Sequence, residues 1–504
     1  MFEVPTIADL NLGMTLPALS LAFGASILLL VDILFIPRDR KVLTAWLALV
    51  GVIVSFVVNL FTYNQSGSAF LGMFVADGFT SFFNIIILGT AFISILMSID
   101  YVKRTQIERG EFYSLILLSV SGMMFMASAN DLVIIFVALE LLSIPLYVLA
   151  AFRVPDARSE ESGMKYFILG AFASAFFVYG AALIYGATGT TSLPGIFQAA
   201  GAIASTGGSS AFLLLLGAGL LLVALGFKVA VVPFHMWTPD VYEGAPTPVT
   251  AFMSVGAKAG GFAALLRIMV VGLPTFAVVD GQTAAAWQTA FWVVAALTLI
   301  LGNFVAIAQT NIKRMLAYSS IAHAGYIMMA VAAAGTSGVA NAATQAALIY
   351  LLGYMFTNLG AFAVALAIEK DDGTGTGLDN FIGLAKSRPL LAIMMTVFML
   401  SLTGIPLTGG FIGKWFVFQA TINAGLIPLA VIGVLTSVVS AFYYVRVIVN
   451  MYLRDGEGDP AEGATPYVNW AIYASFAGTL IMGILPFLVT NLVDTVAIAS
   501  TLVP

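Results

Sequence analysis

The chain has no cysteine and only two histidines in 504 residues. The first absence excludes thiolate metal sites, iron–sulfur clusters and disulfides within the chain. The second argues against a multi-haem or histidine-rich metal protein. Charge is also scarce, at 9% of residues against roughly 25% in an average soluble protein. Lys and Arg number 20 against 25 Asp and Glu, a net of −5, so there is no basic patch for nucleic acid. What remains is 61% apolar, with 48 Gly, 38 Phe and 20 Met. So few charges cannot cover a soluble surface. The composition therefore predicts an all-α polytopic protein solvated by lipid.

A helical span needs about 20 mostly apolar residues. Fourteen segments qualify, near 15–36, 43–63, 79–100, 112–129, 131–152, 162–187, 210–233, 247–271, 285–308, 314–333, 340–368, 388–421, 426–452 and 467–493. The rest is short loops, so residues 1–504 read as a single membrane domain. Orientation follows from the bias of Lys and Arg toward inner loops. With the N-terminus outside, fourteen of the twenty basic residues fall in inner loops and none in outer ones. The other six, Lys165, Lys228, Lys258, Arg267, Lys414 and Arg446, fall within spans. Both termini are then expected on the outer, periplasmic side of a bacterial cell membrane.

Spans 4–8 and 9–13 form two groups of five. Five is odd, so the groups enter the membrane from opposite sides, an inverted repeat by topology. The expected division is a three-helix segment over 1–111, a first repeat over 112–271, a second over 285–452 and a last span at 467–493. The fourth helix of each group is interrupted. Span 7 runs through Gly226, Phe227 and Lys228 to Pro233, and span 12 holds Thr403-Gly404-Ile405-Pro406-Leu407-Thr408-Gly409-Gly410, then Lys414. Pro and Gly break the helical hydrogen-bond ladder. Such breaks persist in a membrane only where protein or a hydrated cavity satisfies the freed groups, and matched breaks point to a transport site.

Charge at membrane depth costs about 2.5–3.5 kcal/mol at a helix centre on insertion scales. Glu140 is the tenth residue of span 5, too deep to reach the surface. Lys258 is near the middle of span 8 among Gly and Ala, and Lys228 and Lys414 sit beside the two breaks. Burial disfavours the charged form of either residue type, whereas an opposite charge nearby favours it. A Glu–Lys pair that can separate is therefore a two-state proton switch. The plain alternative is a permanent ion pair that fixes helix packing. His323 in span 10 and His235 after the first break could relay protons, His235 equally serving as a contact that holds the broken helix. Lys165, near the inner end of span 6, is a weaker candidate on a proton-uptake path. Arg267 and Arg446 read as interfacial anchors. The aromatic and Met content reads as lipid-facing surface or core, with no cofactor box in it.

Four long motifs carry a family resemblance. NDLVIIFVALELLSIPLYVLA (130–150), GFKVAVVPFHMWTPDVYEGAPTP (226–248), NIKRMLAYSSIAHAGY (311–326) and LTGIPLTGGFIGKWF (402–416) together resemble the antiporter-like subunits of respiratory complex I, the proton-pumping NADH–quinone oxidoreductase. The likeness runs over essentially the whole chain. Within that family it is similar to the type with Lys rather than Glu on span 12, here Lys414, and without a lateral C-terminal helix.

The resemblance implies roles residue by residue. Glu140 and Lys228 would pair between spans 5 and 7, Lys258 would be the central relay, and Lys414 would exchange protons with the outer side. It also implies that this chain holds no cofactor. NAD, FMN, iron–sulfur clusters and quinone would belong to the whole complex, a translocase in which this chain has no redox centre. Expected partners are the antiporter-like subunit M, small subunits such as K, J and A, and the lipid bilayer. Two rival functions share the fold: a Mrp-type cation/proton antiporter subunit, and the membrane subunit of a ferredoxin-fed photosynthetic relative.

Overall fold

In the computed structural model the described residues are 6, 9–63, 65–206, 208–273, 276–279, 282–370, 373–455, 465–494 and 496–498. The chain ends, and with them the expectation about their side, lie outside these.

Among the described residues thirteen helices are long and apolar enough to cross a membrane. The first six expected spans are α1 (Leu16–Phe35), α2 (Val42–Thr62), α3 (Gly78–Arg104), α4 (Glu111–Ser128), α5 (Leu132–Ala150) and α6 (Ala157–Thr188). A helix not foreseen in the sequence, α7 (Leu193–Thr206), lies between spans 6 and 7. Span 7 is α8 (Ser209–Val229), followed across a break by the short α9 (Trp237–Gly244). Span 8 is α10 (Thr247–Phe252) and α11 (Lys258–Leu266), made continuous by π-helical turns at Met253–Ala257 and Arg267–Gly272. Spans 9 to 11 are α12 (Gln288–Ile307), α13 (Ile312–Ala334) and α14 (Ala340–Ile368). A single turn, α15 (Leu384–Ser387), precedes span 12, which is split into α16 (Pro389–Thr403) and α17 (Gly409–Asn423). The last spans are α18 (Ile427–Leu453) and α19 (Pro466–Ile484), with a short α20 (Phe487–Val493). Two small hairpins pair Gly67–Ala69 with Phe74–Ala76 and Phe276–Val279 with Gln282–Ala285.

Local chemistry explains where several spans begin. Asp77, Asp131, Asp156 and Asn311 are the N-caps of α3, α5, α6 and α13, each side chain accepting a backbone N–H of the first turn. An Asx cap satisfies donors that lipid cannot.

The two five-helix groups share fine detail. In the first, the Leu132 amide donates to Thr191 O and the Leu193 amide to Asn130 O. In the second, the Ile312 amide donates to Thr376 O and the Leu378 amide to Thr310 O. The start of the second helix in each group is thus stitched to the strand-like segment that follows the third.

The breaks also match. α8 ends at Ala230 in the left-handed region, φ 60°, with the Val231 amide bonded to Gly226 O. α16 ends at Gly404, φ 94°, with the Ile405 amide bonded to Leu400 O. Both use the 6→1 bond of a Schellman stop.

Span 8 is buried along its whole length and spans 10 and 11 nearly so, whereas α1 and α6 are mostly uncovered. The polar residues of the central helices therefore lie far from the perimeter.

A polar line across the middle of the molecule

Lys228, Lys258 and Lys414 are buried, with exposures of 2%, 1% and 3%. None has a carboxylate in ion-pair contact among the described residues. Lys228, in the last turn of α8, donates to Ser143 Oγ at 2.8 Å and to Tyr166 OH at 3.2 Å. Glu140 accepts instead from Ser174 Oγ on α6. The expected direct Glu140–Lys228 contact is not made. Glu140 lies one helical turn from Ser143 on α5, on the stripe of exposed Val133, Val137, Ile144 and Val148. Lys228 takes the hydroxyl turned inward, and the carboxylate stays half-buried near the outer face of the chain.

Lys258 begins α11 immediately after the first π turn and donates to Ser320 O on α13 at 2.5 Å. π turns inside α-helices recur at functional sites because they re-aim side chains. Gly261, one turn along, leaves room for Val229, the neighbour of Lys228: a Cβ there would meet Val229 Cγ1 at 2.8 Å. Tyr242 and Tyr354 bring buried hydroxyls toward Ser320 Oγ, none of the three making a hydrogen bond of good geometry among the described residues. Buried polar atoms of this kind are ordinarily satisfied by ordered water.

His323, 4% exposed, is held on both ring nitrogens. Nδ1 is 2.6 Å from Tyr350 OH, and Nε2 is 3.1 Å from Tyr444 OH, which itself meets Ser319 Oγ at 2.5 Å. Tyr326 stands between His323 and Lys414, its ring 4.7 Å from Lys414 Nζ. Lys414 reaches back from α17 across the break. It donates to Leu402 O (3.1 Å), Thr403 O (2.7 Å) and Ser437 Oγ (2.8 Å). The ammonium thus caps the carboxyl end of α16, where a cation is favoured by the free carbonyls and the helix dipole.

The other residues singled out in the sequence lie apart from this line. His235 sits half-buried in the break after α8, its ring beside the Pro233 carbonyl. Lys165 is at the Lys- and Arg-rich end, 2.7 Å from both Glu161 and Asp240. Burial pushes the Asp240 carboxyl up, but Lys165 and Arg314 outweigh it and hold it below the usual carboxylate range.

Arg267 is not an interfacial anchor. It is fully buried and bidentate to Asp77 at 2.7 and 2.8 Å, with further bonds to Thr80 Oγ1 and Ala127 O. Arg446 is half-buried and donates to Ile307 O and Gln309 O, holding the end of α12.

Sequence reading missed the tyrosines. Tyr166, Tyr326, Tyr350 and Tyr444 are all buried among polar groups, with no share in a lipid-facing surface. The usable signal was the hydroxyl, which must find a partner at membrane depth, whereas Phe needs none.

Residues 129–440 match the family described as NADH:quinone oxidoreductase/Mrp antiporter, TM. The chain is 47% identical over 485 residues to NADH-quinone oxidoreductase subunit N of Trichlorobacter lovleyi, covering 95% of this chain and 96% of that one. It is 46% identical over 493 residues to the protein of the same name from Chloroflexus aggregans, covering 97% and 98%. Among solved structures it resembles a chain of respiratory complex I from Thermus thermophilus with bound aureothin, at 36% identity and TM-score 0.78, covering 96% and 99%. A chain of the Mrp complex from Dietzia sp. shares the fold, with TM-score 0.80 at 21% identity over 96% of both chains. The chain therefore belongs to the NADH:quinone oxidoreductase/Mrp antiporter membrane family, alongside the relatives named subunit N.

Proposed function

We propose that this chain carries protons across a bacterial cell membrane as a subunit of a proton-pumping NADH–quinone oxidoreductase. NADH, FMN, the iron–sulfur centres and the quinone belong to other subunits, and no redox step occurs here. The observation that carries the reading is the series of three buried lysines at membrane depth, each held by hydroxyls or carbonyls instead of a carboxylate. A lysine held by neutral groups gives up or takes a proton without stranding a buried anion.

Glu140 receives the charge change from a neighbouring membrane subunit and transmits it through one turn of α5 to Ser143 and Lys228. Lys258 relays between the two halves, His323 with Tyr350 and Tyr444 connects α13 to α14 and α18, and Lys414 exchanges with the outer side. His235 and Lys165 serve uptake from the inner side. The halves are the inverted repeats 112–271 and 285–452, both termini lie outside, and the neighbours are subunit M and small subunits such as K, J and A. The relatives named subunit N favour this over a Mrp-type antiporter, whose likeness here is of fold.

The test is Lys228→Ala in sealed membrane vesicles. The expected result is NADH oxidation with little accompanying proton uptake. Normal quinone-linked pumping would overturn the proposal. On a native gel the chain is expected to co-migrate with an NADH-active assembly.

A further inference from the structure

At the Lys- and Arg-rich end, α6, α9 and α13 line an open polar cavity of about 180 Å³. Asp240 of α9 lines it and gives one carboxylate oxygen to each neighbour: Oδ2 lies 2.7 Å from Lys165 on α6, and Oδ1 lies 2.8 Å from Arg314 on α13. Glu161 also pairs with Lys165, and Glu243 with Arg314. Those two pairs differ in what they join. Glu161–Lys165 lies within α6, and Glu243–Arg314 ties α9 only to α13. Among the described residues, Asp240 makes the one ion pair between α9 and α6.

The half-helix needs such a tie. Eight residues do not form a stable helix alone, so contacts set where α9 sits. Its first residue, Trp237, stacks on Tyr166 with ring centres 4.4 Å apart and bonds through Nε1 to Phe227 O, next to Lys228. Tyr166 OH is a partner of Lys228. On α6, Ser162 lies one turn from Tyr166, lines the cavity and donates to Val241 O of α9. The seam between α6 and α9 therefore runs from the cavity at Ser162 to the ammonium of Lys228.

Resting on the proton-carrying reading above, we propose that Asp240 is a positioning residue: by clamping α9 to α6 across this cavity, it keeps Lys228 seated on Tyr166 and closes the seam to free passage of water. Asp240→Ala leaves both cations paired, Lys165 with Glu161 and Arg314 with Glu243. The substitution therefore strands no charge, and the subunit is expected to assemble.

The chain has no cysteine of its own, so Ser162→Cys places its sole thiol on the seam, at a site that is 2% exposed. In inside-out vesicles of the intact complex, a membrane-impermeant maleimide is expected to label Cys slowly while Asp240 is present. With Asp240→Ala labelling should rise roughly fivefold, the scale of one partly exposed ion pair. Asp240→Glu should restore the slow rate, and Lys165→Gln, which cuts the same tie from α6, should reproduce the fast one. Protons pumped per NADH oxidised should fall in the fast-labelling variants. Labelling unchanged in both Asp240→Ala and Lys165→Gln would overturn the proposal. The labelling needs no pumping, so it reports on the clamp even if Lys228→Ala were to pump normally and the wider reading fell.

Discussion

Arg267 and Asp77 sit face to face with almost no exposure, each oxygen of the carboxylate taken by one guanidinium nitrogen. Removing one partner leaves the other charge stranded, which costs about 3–5 kcal/mol, whereas replacing both with apolar residues is often neutral. Arg267→Met should therefore lower the thermal stability of the purified assembly strongly, and Arg267→Met combined with Asp77→Leu should recover most of it. Equal loss in the single and double variants would show that packing, and not the stranded charge, sets the cost. Tyr444→Phe makes a gentler test. It removes one hydroxyl shared by His323 and Ser319 and should cost about 1–3 kcal/mol through the two groups left unpaired, with a matching drop in pumping. The lysines were legible in the sequence because a charge at membrane depth stands out against apolar neighbours. The tyrosines were not, because a hydroxyl on a large ring reads as apolar until its partners are seen. Arg267 misled because its place near a span end suggested a route to water that the packing of α3 closes off.

The two broken helices end in the same kind of stop with different residues at the left-handed position, Ala230 in one and Gly404 in the other. Ala230 shows that a methyl group is tolerated in that backbone conformation, at about 1–2 kcal/mol. The difference at Gly404 is the neighbour: a Cβ there would come within 2.8 Å of Lys414 Cδ. Gly404→Ala should thus lower proton pumping much more than it lowers stability, by pushing the ammonium off the end of α16. If pumping and stability fell together, backbone strain alone would account for the residue. Both breaks were legible from Pro and Gly at matched places in the two halves. Helix α9, beyond the first break, was not: its eight residues include a proline and two acidic groups, and only contacts with α6 and α13 make them helical.

At the scale of the whole molecule, the central spans are enclosed and the rim is apolar and open, as lipid requires. Glu140 breaks that pattern. A half-buried carboxylate at mid-membrane on an outward stripe cannot face hydrocarbon cheaply, so another membrane subunit should cover it. A photo-crosslinking side chain at Val137, which is 55% exposed on the same stripe, is expected to capture a protein neighbour in native membranes. Capture of lipid alone would place that neighbour elsewhere. Thirteen of the fourteen expected spans, as single helices or one helix with π turns, and the split of span 12 could be read from hydropathy and glycine placement. The distance between Glu140 and Lys228 could not, since it depends on how α5 is rotated about its axis.

Each broken span brings the carboxyl end of a half-helix to membrane depth, and each end has a lysine: Lys228 in the last turn of α8, and Lys414 folded back onto α16. A helix end carries a fixed partial negative charge that cannot itself be protonated. At Lys414 the protein thus holds the ammonium with a counter-charge that takes no proton of its own, so under the proposed function a proton leaving that lysine finds no acceptor in the helix end and is passed on.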